Sequence, residues 1–169
     1  MGFEIEKKFL VKALPEDLER FPYHEITQGY LCRQPAVRVR REGAVRGPAD
    51  SKEKAEDRFY MTYKGLREAG QLKQEEYNLP LTETAYTHLL QKADGVIIEK
   101  RRYLLPLNAD AFPEEACAAL RDWLASGEAR IELDIFAGAY DGLRLAEVEF
   151  PSEEAAQHYH PAGWFDEEV

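Results

Sequence analysis

The chain has 169 residues, 44% of them hydrophobic, which suffices for one globular domain with a substantial core and argues against two. Acidic residues number 32 against 22 basic ones, a net charge of −10, which excludes a sequence-independent nucleic-acid or anionic-membrane binder built on a broad basic surface. No apolar run reaches bilayer length, no leader pattern opens the chain, and Cys32 and Cys117 stand without zinc-ligand spacing, so a soluble cytoplasmic protein with free thiols is expected.

The first predicted element is a strand in which Glu4, Glu6 and Lys8 share one face while Ile5, Phe9 and Val11 occupy the other. A second extended stretch covers 24–32, and a third, 36–42, alternates valine with arginine so that Arg38 and Arg40 face one way. The polar stretch 43–57, with Gly47-Pro48 and the mixed-charge run Lys52-Glu53-Lys54, predicts a long loop. A fourth strand follows from Arg58 to Gly65, pairing Thr62 with Lys64 against Met61 and Tyr63. After a turn at 65–70, a fifth strand over 71–79 sets Gln74, Glu76 and Asn78 against Tyr77 and Leu79, and Pro80 closes it.

Thr82 caps a helix whose Ala85, Tyr86, Leu89, Leu90 and Ala93 recur at helical spacing until Gly95 stops it. The strand over 96–105 places Lys100 and Arg102 on one face. One helix is predicted over 113–126, from Pro113 in its first turn, Glu114 and Glu115 at the positive end of its dipole, and Gly127 at its exit. Two late strands, 130–136 and 143–150, alternate acid with aliphatic, which pairs Glu132 with Asp134 and Glu147 with Glu149. Ser152 caps a short helix, and an aromatic tail runs over 158–165. His24, His88, His158 and His160 are scattered and are assigned packing or surface places, and neither a Walker-type glycine loop nor a Ser-His-Asp or Cys-His constellation occurs.

Eight strands thus carry their charges on one face and their aliphatic and aromatic residues on the other. A solvated sheet explains one or two such strands. The recurrence points to a β-dominated α+β fold, a closed eight-stranded antiparallel barrel with a polar, charged lumen and helices packed outside, although alternation alone does not establish closure. Its lumen would gather Glu4, Glu6, Lys8, Arg38, Arg40, Lys64, Glu76, Lys100, Arg102, Glu132, Asp134, Glu147 and Glu149. Paired carboxylates are hard-oxygen ligands for Mg²⁺ or Mn²⁺, and arginines and lysines suit consecutive phosphoryl groups. Acid strands and basic strands are separated along the chain, which suggests metal on one wall and phosphate on the other.

The opening Glu4-Ile5-Glu6-Lys7-Lys8 is the Glu-x-Glu-x-Lys hallmark of the CYTH family, or triphosphate tunnel metalloenzymes, which the chain resembles. The resemblance extends in the family's order through Gln28-Gly29-Tyr30-Leu31, Val37-Arg38-Val39-Arg40, Thr62-Tyr63-Lys64-Gly65, Glu99-Lys100-Arg101-Arg102-Tyr103, Glu132-Leu133-Asp134-Ile135-Phe136 and Gly142-Leu143-Arg144-Leu145-Ala146-Glu147-Val148-Glu149. It is greatest for the small bacterial members acting on inorganic tripolyphosphate. It implies a tunnel in which Glu4, Glu6, Glu132, Asp134, Glu147 and Glu149 serve Mg²⁺ or Mn²⁺, while Lys8, Arg38, Arg40, Lys64, Lys100 and Arg102 hold phosphate. Lys8 and Tyr30 would help to activate the attacking water. Gln74 and Asn78 depart from the charges usual in the family, which leaves Glu76 a less certain tunnel residue, and 43–57 and 107–128 look like insertions in a single 1–169 domain. The chain's last residue, Val169, falls within a Trp-x-x-x-Glu-Val segment that relatives commonly continue.

The function expected is metal-dependent hydrolysis of inorganic tripolyphosphate to pyrophosphate and phosphate by metal-activated water. The alternatives are a class IV-type adenylate cyclase, a thiamine triphosphatase, and a non-catalytic polyphosphate-binding module. The expected partner is a small-molecule triphosphate rather than nucleic acid or membrane, with a homodimer allowed.

Overall fold

A computed structural model describes residues 2–48 and 56–169. Its strands are β1 (Gly2–Val11), β2 (Tyr23–Arg33), β3 (Ala36–Glu42), β4 (Arg58–Lys64), β5 (Lys73–Pro80), β6 (Asp94–Pro106), β7 (Arg130–Ala137), β8 (Arg144–Glu149) and β9 (Phe165–Glu168). They form one sheet in the order β5-β4-β3-β2-β6-β7-β8-β1, and a further β5–β1 pairing closes these eight into an antiparallel barrel. The barrel inferred from alternating charge is therefore present. Closure falls on β1, which pairs with β8 through Glu6–Leu10 on one edge; on the other it pairs with β5 through Gly2–Ile5 and with β9 at Phe9 and Val11.

The apolar core lies outside the barrel, against the outward faces of β1, β6, β7 and β8. Phe9, Leu105, Ile131, Leu133, Ala146 and Val148 pack there with Phe112, Phe150, Tyr159 and Phe165, each side chain contributing about 1.5–3 kcal/mol when fully buried. The cover comes from α2 (Glu114–Ala119), α3 (Arg121–Ala125), α4 (Glu153–His158) and β9. On the other flank α1 (Glu83–Leu90) crosses β2–β4, its buried Tyr86 tilted 5.2 Å from the Phe59 ring. Gly29 permits this approach, because a Cβ there would lie 2.7 Å from Ala93 Cβ and 3.0 Å from Leu90 Cδ1.

Three expectations change. The helix over 113–126 is two short helices, because Leu120 (φ −99°, ψ 8°) leaves helical geometry between them, while Leu120, Trp123 and Leu124 pack against the core and Phe112 meets Trp123 edge-on at 5.8 Å. Helix α1 ends at Leu90, and Gly95 belongs to β6, where φ +75° suits glycine next to the irregular pairing of Gln28 and Tyr30 with that strand. The aromatic tail continues into β9, held by Phe165 stacked 4.7 Å from Phe9. Of the loop expected at 43–57, residues 49–55, including the Lys52-Glu53-Lys54 run, lie outside the described residues. Among the described residues no helix is long and apolar enough to cross a membrane.

Candidate active site

The inward faces enclose a cavity of about 580 Å³. Glu4, Glu6 and Lys8 reach it from β1, Arg38 and Arg40 from β3, Lys64 from β4, Glu76 from β5, Arg102 from β6, Glu132 from β7, and Glu147 and Glu149 from β8. Lys100 and Asp134 point inward but sit behind this wall, packed between β6 and β7, with Lys100 Nζ 5.3 Å from the Phe136 ring centre. Tyr30 stands opposite Arg38 in the β2–β3 register and is not among the residues lining the cavity. Glu76, the uncertain member, is on the wall.

Acids and bases interleave rather than occupying separate walls, because the antiparallel register sets Lys8 beside Glu147 and Arg102 beside Asp134. Arg102 donates through Nε and Nη2 to the two oxygens of Asp134, both at 2.7 Å, through Nη2 to Glu147 at 2.7 Å, and through Nη1 to Glu132. Lys100 also donates to Asp134. Burial would raise the Glu147 carboxyl, but Arg102, Lys8 and Lys100 outweigh it and hold it well below the usual range. Lys8 Nζ lies 3.1 Å from Glu6 and 3.2 Å from Glu147; burial works against its charge, and these two carboxylates prevail and raise its pKa. Lys8 is thus held as an ammonium, a poor proton acceptor.

Arg38 and Arg40 form a different set. Arg40, 4% exposed, donates through Nε to Gln28 Oε1 at 2.8 Å and through Nη1 to the Tyr60 hydroxyl at 3.3 Å, and among the described residues no carboxylate forms a salt bridge with it. Burial lowers its pKa, and the nearby charges of Arg38 and Arg102 lower it further. Arg38 lines the cavity with its buried Nε lacking a hydrogen-bond partner. Two guanidinium groups facing a cavity without a salt-bridged carboxylate among the described residues are a site for an anion with several oxygens.

A metal ion on the facing carboxylates is compatible with their chemistry. Glu4, Glu6 and Glu76 converge on one cation, Lys64 Nζ, at 2.6, 3.7 and 3.1 Å. The Glu4 carboxyl is pushed up to about 8 by burial, a hydrogen bond shared with Glu76 and the charge of Glu6. Glu149 is raised as well, by burial and then by Glu132, Glu76 and Glu6. This is an all-oxygen donor set in which Glu4, Glu6 and Glu76 outnumber the one lysine they share, which fits Mg²⁺ or Mn²⁺. The expected ligands Asp134 and Glu147 form ion pairs with Lys100, Arg102 and Lys8. Among the described residues no group of three His, Cys, Asp or Glu side chains is already gathered around one metal position.

The cavity wall also includes residues the sequence reading left out. His24 lies within β2, 8% exposed, its Nδ1 2.8 Å from the Gly43 carbonyl oxygen. Glu42 accepts from the Tyr60 hydroxyl at 2.9 Å and from Arg58 Nη2. Burial raises the Glu42 carboxyl, but Arg58 and Tyr60 outweigh it, so its pKa is lowered. Their signal was phase: Glu42 continues the face of Arg38 and Arg40, Tyr60 that of Thr62 and Lys64, and His24 that of Gln28.

A closed antiparallel barrel with an arginine pair facing crowded carboxylates is the architecture of a triphosphate tunnel protein. No protein-family model matches the chain. It is 33% identical over 170 aligned residues to the inorganic triphosphatase of Nitrosomonas europaea, covering 98% of this chain and 88% of that protein. It is 28% identical over 169 residues to the inorganic triphosphatase of Acetivibrio thermocellus, covering 100% and 86%. The crystal structure of an inorganic triphosphatase superposes with TM-score 0.56 at 31% identity, over 100% of this chain and 87% of that one. A Pyrococcus horikoshii protein, 18% identical over 92% of this chain and 82% of that one, shares the fold with TM-score 0.53. The chain belongs to the inorganic triphosphatase family of triphosphate tunnel proteins.

Proposed function

We propose that the chain hydrolyses inorganic tripolyphosphate to pyrophosphate and phosphate with Mg²⁺ or Mn²⁺ as cofactor. The observation that carries this reading is the pair Arg38 and Arg40, buried or half-buried cations without a carboxylate partner among the described residues, facing Glu4, Glu6, Glu76 and Glu149 across one cavity. Arg38 and Arg40 would grip the oxygens of one phosphoryl group. Lys8, kept charged by Glu6 and Glu147, would add a third positive contact and limit repulsion between water and the anion. Water attacks the terminal phosphorus, the bridging P–O bond breaks, and pyrophosphate leaves. Glu4, Glu6, Glu76, Glu132 and Glu149 would hold a divalent cation, which supplies charge neutralisation and lowers the pKa of water. A simple anion binder would not need that carboxylate wall.

The test offers tripolyphosphate, thiamine triphosphate and adenosine triphosphate with Mg²⁺ or Mn²⁺ while following phosphate, pyrophosphate and cyclic nucleotide. Tripolyphosphate is expected to be the best substrate, with phosphate release abolished by a chelator and restored by either metal. Cyclic nucleotide plus pyrophosphate as the main products would replace this reading with the cyclase. Tight binding of tripolyphosphate without any product would replace it with a polyphosphate-binding module.

A further inference from the structure

Arg40 is almost wholly buried, yet its charge is not cancelled by a direct contact, unlike those of Arg102, Lys100, Lys64 and Lys8. Its two hydrogen-bond acceptors are neutral, and both are its cross-strand neighbours: Gln28 on β2 and Tyr60 on β4. The guanidinium is therefore spanned from two sides. The Tyr60 hydroxyl accepts from Arg40 and donates to Glu42 Oε2 at 2.9 Å, and Glu42 Oε1 in turn accepts from Arg58. Glu42 lies two residues beyond Arg40 on the same face of β3. A carboxylate placed directly on Arg40, as Asp134 is on Arg102, would neutralise the charge that an incoming anion must meet. An interposed phenol orients the guanidinium and leaves the carboxylate one hydroxyl away.

We propose that Tyr60, itself oriented by Glu42, is a positioning residue that fixes the Arg40 guanidinium for a phosphoryl group without quenching its charge. The inference rests on the reading of Arg38 and Arg40 as the phosphate site. It predicts that the Tyr60 hydroxyl governs substrate use through one arginine.

The test is a double-mutant cycle on kcat/KM for tripolyphosphate, comparing the unmodified chain, Tyr60→Phe, Arg40→Ala and the combination, with thermal midpoints confirming that each variant is folded. Arg40→Gln takes the place of Arg40→Ala if that variant does not fold. Tyr60→Phe keeps the ring and removes the hydroxyl, and kcat/KM is expected to fall roughly tenfold, the effect of losing one hydrogen bond to a charged group. In the Arg40→Ala background the same change should have almost no further effect. A Tyr60→Phe loss that persists undiminished without Arg40, or no loss in either background, overturns the relay. If Arg40→Ala leaves kcat/KM unchanged, the phosphate-site reading itself fails.

Discussion

Asp134 has no solvent exposure and accepts hydrogen bonds from both Arg102 and Lys100, so its carboxylate is the hub of a buried cation pair. Replacing it by Asn takes the carboxylate from Lys100 and one of three from Arg102, and Asp134→Asn is expected to destabilise the fold by about 3–5 kcal/mol, measured by urea denaturation. A change below about 1 kcal/mol would show that the cluster is not a structural unit. Glu4 behaves in the opposite way. Its carboxyl, raised from 4.5 to about 8, retains a proton in the folded chain that the unfolded chain releases, so its contribution to stability is lost as pH rises through that window. A cation bound there must displace the proton, and its affinity should therefore increase with pH. Calorimetric titration with Mn²⁺ at about pH 6 and about pH 8 should show tighter binding at the higher pH with proton release, and equal affinities would remove Glu4 from the cation site. At this scale residue type and alternation revealed who enters the lumen but not who meets whom. The ion pairs of Asp134 with Arg102 and of Glu147 with Lys8 are set by cross-strand register, which a single strand's pattern does not contain.

The strands were legible because a charged lumen imposes the same period of two on every one of them, from Glu4, Glu6 and Lys8 to Glu147 and Glu149. The short helices were less so. The break at Leu120 lies where Leu120, Trp123 and Leu124 pack against the core, with Trp123 6.3 Å from the Phe150 ring, whereas local propensity favours continuity from Pro113 onward. Strand β9 was missed because Phe165 is its one core residue and Asp166, Glu167 and Glu168 resemble a solvated tail. Gly29 is the element-scale feature with the clearest energetic consequence. Gly29→Val would drive side-chain atoms into Ala93 and Leu90, lifting the segment after α1 from the barrel at a cost of about 1–3 kcal/mol. Its denaturation midpoint should fall accordingly, and an unchanged midpoint would mean that the segment moves away without loss.

The barrel as a whole closes where β1 meets β5, through four residue pairs between Gly2–Ile5 and Lys73–Glu76. The same line is crossed by side chains: Lys64 on β4 binds Glu4 and Glu6 on β1 and Glu76 on β5. Amide exchange should therefore be faster at these backbone positions than in the β2–β6 ladder. Adding Mn²⁺ with a non-hydrolysed polyphosphate should slow it there by about tenfold or more, and equal protection before and after binding would show that closure and occupancy are independent. If Glu4, Glu6 and Glu76 take up the cation, the residues that hold it are also those that clasp the wall through Lys64, so occupancy of the site and tightness of the seam would change together. Each turnover would then be felt along one line of the barrel, where β1 meets β5.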